Sequence, residues 1–206
     1  MARTRTIGLL GGSFNPAHAG HLHITREALK RLQLDEVWWL VSPQNPLKKA
    51  SDLADYALRF TSAAAIATDP RIRILDIEAR HGLHYTIDSV RFLQARHRDC
   101  RFVWLMGADN LAGFHRWRAW RELAARIPIA VLDRAPYGLR ALHGRFAATH
   151  ARARAHPRDA ATLADGPTPR WVYLTIPRHP LSASYLRKTL GNRAYLRHNA
   201  AVSPKE

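Results

Sequence analysis

Short apolar runs that alternate with helical patterns are the feature of this sequence that most restricts its fold. The runs are rich in Val, Ile, Leu and Trp, and each has the length of a buried strand. They are residues 6–10, 36–41, 72–75, 101–106, 129–132 and 171–174. None alternates cleanly between apolar and polar residues, as expected for strands covered on both faces. The pattern predicts an α/β fold with a doubly wound, Rossmann-like parallel sheet.

The helical patterns between these runs supply the crossover connections. They cover residues 20–32, 55–68, 86–93, 120–126 and 184–190. In the second of them, Leu58, Ala65 and Ile66 form the expected apolar stripe, and in the third Thr86 is the expected N-cap. A chain of 206 residues with this pattern predicts one domain over residues 1–206.

Residues 135–170 fit the pattern least well. This segment is rich in Ala, Arg and His, and it contains Pro157, Pro167 and Pro169. It lacks a convincing apolar stripe after Leu142. We expect it to be a mobile insertion between the last two strands.

The net charge of +16 and the single cysteine limit the class of protein. Cys100 cannot form an internal disulfide, which favours a reducing, cytoplasmic setting. No run of apolar residues has the length of a membrane span, so no membrane partner is expected. The charge favours anionic partners. However, all but five of the 32 basic residues are arginines, and such a bias can also follow from genome composition.

Chemically unusual loops follow five of the predicted strands. Ligands of a doubly wound sheet bind beyond the carboxyl ends of its strands, where these loops meet. The loops are residues 11–21, 42–48, 107–110, 133–134 and 181–187. Their convergence on one edge of the sheet predicts the position of a binding site.

The first of these loops has the residues of a phosphate site. Gly11 and Gly12 allow a tight turn that presents backbone N–H groups to an anion. His18 and His21 lie at the start of a predicted helix, where free N–H groups and the helix dipole favour phosphate. A strand-ending turn is the alternative for the glycines. For the histidines the alternatives are a metal cluster, which lacks cysteine or carboxylate partners nearby, or a solvated face.

These loops resemble the signature motifs of a known superfamily of nucleotidyltransferases. Residues 11–21, GGSFNPAHAGH, are similar to its GGTFDPxHxGH opening, and residues 181–187, LSASYLR, to its ISxTxxR element. Within that superfamily the chain resembles the bacterial nicotinate-nucleotide adenylyltransferases. Residues 42–48 are similar to the SxxPPHK motif of that family, residues 85–89 to YTxDT, and residues 107–117 to GADxxxxxxxW. One departure is Leu47, which replaces a histidine that would contact phosphate.

The resemblance implies an enzyme that joins ATP and nicotinate mononucleotide and releases pyrophosphate. Mg²⁺, held mainly by the substrate phosphates, would assist. The implied catalytic residues are His18, His21 and Arg187. The implied ATP-binding residues are Gly11, Gly12, Ser13, Phe14, His21, Gly107, Asp109, Ser182, Ser184 and Arg187. The implied mononucleotide-binding residues are Lys48, Thr86, Asp109, Trp117 and Arg134.

Several of these assignments have structural alternatives. Trp117 lies close in sequence to Trp104 and Trp120 and would equally suit the core, while Asp109 would also suit a helix cap. Other acceptors, nicotinamide mononucleotide or phosphopantetheine, also remain open. A nucleic-acid-binding protein would explain the charge, but the sequence has no recognised nucleic-acid-binding motif, so none is expected as a specific partner.

Overall fold

A parallel sheet of six strands forms the centre of the molecule. The computed structural model describes residues 3–43, 53–133 and 138–177. The strands are β1 (Arg5–Gly12), β2 (Glu36–Val41), β3 (Ile72–Leu75), β4 (Cys100–Gly107), β5 (Ile129–Asp133) and β6 (Trp171–Thr175). They are ordered β3-β2-β1-β4-β5-β6 and all pairs are parallel. This order defines a doubly wound sheet, whose direction of winding reverses between β1 and β4. The predicted fold class is confirmed.

Helices connect the strands. They are α1 (Ala19–Arg31), α2 (Tyr56–Ile66), α3 (Ile77–Arg80), α4 (Thr86–Arg96), α5 (Ala108–Gly113), α6 (Trp120–Arg126) and α7 (Arg145–Thr149). Shorter 3₁₀ segments cover Phe114–Arg116, Gly138–His143, Ala151–Ala153 and Pro157–Asp165. Among the helices of the described ranges, none is long and apolar enough to cross a membrane. The predicted helix over residues 184–190 lies outside the described residues.

Each face of the sheet has its own hydrophobic core. On one face Trp38 of β2 and Trp104 of β4 pack among residues of α4, α5 and α6. On the other face Trp39 and Leu105 pack among residues of α1 and α2. Neighbouring residues of one strand thus serve opposite cores, which explains why the strand sequences lack polar alternation.

Two details of the predicted helices are wrong. Leu58, predicted for the apolar stripe of α2, is 48% exposed, while Arg59, Ser62 and Ala63 are the buried residues of that helix. Thr86 is the first residue of α4 rather than its N-cap. Tyr85 occupies the cap position because its backbone is extended and its carbonyl accepts hydrogen bonds from the N–H groups of the first turn.

The segment after β5 contributes to both cores. Phe146 and Ala147 of α7 are buried with the core of the Trp104 face, and Ala160 and Leu163 with the opposite one. The side-chain rings of Phe146 and Trp171 lie 5.4 Å apart. Residues 138–165 are therefore a run of short helices packed onto the sheet. Short helices of one or two turns bury isolated apolar residues, which is why no long stripe was visible in the sequence.

Candidate active site

The register of the strands brings the predicted loops to one edge of the sheet. Gly12 at the end of β1 pairs with Val41 at the end of β2. Gly107 at the end of β4 pairs with Leu132 of β5, one residue before that strand ends. The loops after β1, β2, β4 and β5 thus leave the same edge, and the candidate site lies there.

Phe14 shapes the loop after β1. Its φ of 45° is unusual for a residue other than glycine, and its side chain is 1% exposed. The ring lies 5.0 Å from the Trp39 ring in a stacked geometry and 4.8 Å from the His21 ring. This packing stabilises the left-handed backbone conformation. It also means that Phe14 offers a ligand its backbone rather than its ring.

His18 and His21 cap the beginning of α1 reciprocally. His18 is the N-cap residue, and its Nδ1 accepts a hydrogen bond from the Gly20 N–H at 3.0 Å. His21 lies three residues on, and its Nδ1 accepts from the His18 N–H at 3.2 Å. This is the arrangement of a capping box, with imidazoles in place of the usual hydroxyl and carboxylate.

The capping bonds define which ring nitrogen carries the proton. A nitrogen that accepts a hydrogen bond has no proton of its own, so both neutral imidazoles carry their proton on Nε2. The two rings lie 4.1 Å apart, and His18 is 2% exposed. The helix start therefore holds two N–H donors side by side, as a phosphate site requires. The predicted position of both histidines at a helix start is confirmed.

Gly107 and Asp109 are placed by the end of β4. Gly107 is the last residue of the strand and the N-cap position of α5. Asp109 is the second residue of α5, in its first turn, and its side chain is partly exposed. The N-cap position of α5 itself is Gly107, which has no side chain to cap the helix.

Thr86 and Trp117 belong to neighbouring segments. The guanidinium of Arg118 lies over the Tyr85 ring at 4.5 Å, which places the beginning of α4 beside the loop before α6. Trp117 is partly buried, with its ring 5.2 Å from the Phe114 ring and edge-on to Trp104 at 6.1 Å. Trp117 is thus packed on one side by the core while remaining partly open to solvent.

Several predicted site residues lie outside the described residues. They are Lys48, Arg134, Ser182, Ser184 and Arg187, and Leu47, the departure from the family motif, lies outside them too. The residue before Arg134, Asp133, is the last residue of β5 and lies at the same edge of the sheet.

Sequence reasoning missed two buried charged residues at this edge, Arg59 of α2 and Glu78 of α3. Glu78 accepts a hydrogen bond from the Ser89 hydroxyl at 2.7 Å. Burial raises the pKa of Glu78, and hydrogen bonds from the Ser89 and Ser42 hydroxyls oppose that increase. Arg59 lies on the inner face of α2 with Ser62 and Ala63, the other buried residues of that helix. A charged residue beside a serine and an alanine gives no local signal of burial.

These features together place a candidate phosphate site at the switch point of a doubly wound sheet, where such sheets bind their ligands. Nucleotidyltransferases have sites of this class. The chain belongs to the cytidylyltransferase-like family, whose model matches residues 9–189.

Among its relatives is a probable nicotinate-nucleotide adenylyltransferase from Methylorubrum extorquens. The two are 52% identical over 181 residues, 88% of this chain and 98% of the relative. A protein of the same name from a Bradyrhizobium species is also 52% identical, over 90% of this chain and 97% of its own length. The family resemblance of the loop motifs is thereby confirmed.

A solved structure supports the fold independently. The nicotinic acid mononucleotide adenylyltransferase of Plasmodium falciparum, complexed with NaAD, matches with a TM-score of 0.67. The match covers 96% of this chain and 89% of that one, at 16% identity. At this low identity the likeness concerns the fold.

Proposed function

We propose that this protein transfers the adenylyl group of ATP to nicotinate mononucleotide, giving nicotinate adenine dinucleotide and pyrophosphate in NAD biosynthesis. The observation that carries the proposal is 52% identity, over nearly the whole chain, to relatives of that name. The paired histidines at the start of α1 supply the chemistry that such a transfer needs.

The reaction needs no general base. The second pKa of a phosphate monoester is ~6, so the mononucleotide phosphate is largely ionised at neutral pH. One of its oxygens attacks the α-phosphorus of ATP in line, and the bond from that phosphorus to the bridging oxygen breaks. The electron pair leaves with pyrophosphate. Catalysis then consists of aligning the reactants and stabilising charge on the transferring group.

The N-terminal end of α1 receives the ATP phosphates in this proposal. Nε2–H groups of His18 and His21 donate to phosphate oxygens, and the backbone of residues 11–14 supplies further N–H donors. Gly107 and Asp109 approach the nucleoside. By family resemblance, Ser182, Ser184 and Arg187 complete the ATP site.

The acceptor mononucleotide lies toward α4 and the loop before α6. Trp117 stacks on the nicotinate ring, because its ring is packed on one side only, and Thr86 lies at the carboxylate. Asp109 accepts a hydrogen bond from a ribose hydroxyl. By resemblance, Lys48 and Arg134 bind the phosphate of the mononucleotide.

Mg²⁺ is the proposed cofactor. No group of three or more His, Cys, Asp or Glu side chains in the described part of the chain is arranged as a metal site. In nucleotide enzymes Mg²⁺ is usually held largely by substrate phosphate oxygens and water. When bound, the ion offsets negative charge on the phosphates of ATP. We further propose that residues 1–206 act as one nucleotidyltransferase domain in the cytoplasm, with 135–170 as an insertion whose short helices pack onto the sheet.

A turnover assay tests the proposal. Purified protein with Mg·ATP is offered nicotinate mononucleotide, nicotinamide mononucleotide or phosphopantetheine, and pyrophosphate release is measured. We expect the highest kcat/KM with the first acceptor. A preference for either of the other two acceptors, or no pyrophosphate release with any of the three, would contradict the proposed substrate.

A further inference from the structure

Arg59 connects the two loops that frame the candidate site. It is 1% exposed, and its position on α2 is outside every sequence motif of the family resemblance. Its Nη1 donates to the carbonyl oxygens of Ser13 at 2.6 Å and Ser42 at 2.7 Å. Its Nη2 donates to the Pro43 carbonyl at 2.8 Å. One guanidinium therefore holds the loop after β1 and the loop after β2 at a defined separation.

Other hydrogen bonds strengthen the same junction. Nε of Arg59 donates to the Ala54 carbonyl at 3.0 Å, and the Ala54 N–H donates to Oδ1 of Asn15 at 3.1 Å. The Ser42 N–H donates to the Gly12 carbonyl at 2.9 Å. The loop after β1 is thus bound at Gly12, Ser13 and Asn15 to the segments that contact Arg59.

The bond to Ser13 also orients a predicted phosphate donor. In a trans peptide unit the carbonyl and the following N–H point in opposite directions. The Ser13–Phe14 bond is not one of the cis bonds of the described chain, so the Phe14 N–H points away from the guanidinium. Arg59 therefore fixes the direction of one of the backbone N–H groups assigned to ATP.

The charge of Arg59 has no carboxylate partner in the described residues, where every hydrogen bond of its guanidinium goes to a neutral carbonyl. Burial lowers its pKa, and Tyr56 and Asp55 oppose this change. Arginine nevertheless stays protonated in proteins. A buried cation is costly without an opposite charge. A polyphosphate bound on the other side of the loops would supply that charge.

We propose that Arg59 is a positioning residue for adenylyl transfer, which sets the spacing of the loops after β1 and β2 and adds positive charge behind their backbone donors. The proposal rests on the proposed function and names a further residue on which it depends. Arg59 acts through Ser13, Ser42 and Pro43 and does not itself touch the substrate.

Four variants test this role: Arg59→Met, Arg59→Lys, Arg59→Ala and, as a control, Arg26→Met. Arg26 is exposed on α1, so its replacement removes the same charge without touching the loops. We expect Arg59→Met to lower kcat by about tenfold or more, and to weaken binding of a non-hydrolysable ATP analogue by about threefold, because alignment matters most in the transition state. The control should keep both within about twofold of the unmodified protein.

Rescue separates positioning from folding. In Arg59→Ala, millimolar guanidinium should restore part of kcat, whereas sodium chloride of equal ionic strength should not. Guanidinium weakens folded structure, so recovery of a merely destabilised protein would not be expected. Circular dichroism and thermal melting show whether each variant folds. If Arg59→Met and Arg59→Ala do not fold, kcat and analogue affinity are measured in Arg59→Lys instead. This variant keeps the charge, but its single ammonium cannot donate to all four carbonyls that Arg59 bonds. Unchanged kcat and analogue affinity in a folded variant would overturn the proposal.

Calorimetric titration with the ATP analogue tests the role of Arg59 separately from the proposed function, because it measures binding without turnover. If the unmodified protein favours another acceptor, the proposed substrate fails, and the Arg59 variants are compared with that acceptor. If it turns over none, the analogue affinities of the same variants still decide the role of Arg59.

Discussion

At Gly11 the backbone of β1 passes very close to a core side chain, the indole of Trp104. A Cβ added there would lie 2.6 Å from Cη2 of Trp104 and 3.0 Å from its Cζ2. The φ of Gly11 is not positive, so backbone strain does not explain the glycine. The glycine is explained by the close packing of β1 against the indole of Trp104, just before the strand ends at the candidate site.

Replacement of Gly11 therefore tests packing alone. We expect Gly11→Ala to lower the free energy of unfolding by about 1–3 kcal/mol, the usual cost of an overpacked core. Urea denaturation measures the change. In a Trp104→Phe background the same substitution should cost less, because the smaller ring makes room. A Gly11→Ala protein as stable as the original would contradict the close contact.

Glu78 makes stability depend on pH. Its pKa in the folded protein is raised above the ordinary 4.5, chiefly by burial. Between these two values the folded state binds more protons than the unfolded state, so the contribution of Glu78 to stability is present below pH 4.5 and is lost as pH rises. Glu78→Gln removes this dependence.

We expect the stability of Glu78→Gln, relative to the original protein, to increase as the pH is raised above 4.5. Urea denaturation at several pH values measures it. Asp88→Asn is the control, because Asp88 is a surface carboxylate of the neighbouring α4. A relative stability that does not change with pH in Glu78→Gln would show that this carboxylate is not the source.

At the scale of elements, the start of α1 combines a structural role with a chemical one. His18 caps the helix through Nδ1 and, in the proposed function, binds phosphate through Nε2. Asparagine at this position can accept the same backbone N–H but cannot reach phosphate as the imidazole does.

The two roles are separable by substitution. His18→Ala should lose about 1 kcal/mol of stability and most turnover, with a smaller loss of ATP affinity, whereas His18→Asn should lose turnover and keep nearly all of its stability. Chemical denaturation and pyrophosphate release measure the two effects. Equal destabilisation by both substitutions would mean that the Nδ1 cap does not stabilise the helix.

The strands were predictable from the sequence because each is an apolar run buried by both layers of helices. The predicted limits of two strands, residues 36–41 and 72–75, match β2 and β3. The inner face of α2 was not predictable in the same way. Leu58 has the hydrophobicity expected of that face. Arg59 is the buried residue instead, because its guanidinium donates hydrogen bonds to carbonyls of two loops that are distant in sequence. Such partners become neighbours only after the sheet forms.

The histidine loop was recognisable because its residues carry both the turn and the chemistry in one short stretch. The Arg59 and Glu78 contacts join residues far apart in sequence, such as Ser13 with Arg59, and no local pattern encodes them. Thr86 shows the limit of cap preferences, since a hydroxyl next to a helix start is also compatible with the first helical position.

For the whole molecule, the excess of arginine remains the dominant property. Most acidic side chains of the described residues lie in ion pairs with arginine. Seven arginines against two aspartates occur between residues 134 and 170 alone. Exposed members of that set, such as Arg140, Arg145 and Arg152, are part of a positive surface. Such a surface attracts anionic substrates over a distance of about 10 Å at moderate salt.

Ionic strength should therefore affect the rate at which ATP and the protein associate more than the rate of the chemical step. We expect kcat/KM for ATP to fall by up to about tenfold between low and high ionic strength, while kcat changes little. Steady-state kinetics over a salt series measures both. A triple Ala variant of Arg140, Arg145 and Arg152 should flatten this dependence. A kcat that falls as steeply as kcat/KM would contradict substrate steering.

The central place of β1 in the sheet has a consequence for biosynthesis. β1 lies between β2 and β4, and its Arg5 pairs with Cys100. A ribosome completes β2 and β3 long before β4 emerges. The edge of β1 that will pair with β4 therefore stays unpaired while the residues between these two strands are synthesised. Unpaired strands of this kind are recognised by chaperones and prone to aggregate. The histidines that follow β1 are synthesised well before β4 and β5, yet their site forms only once those strands have left the ribosome.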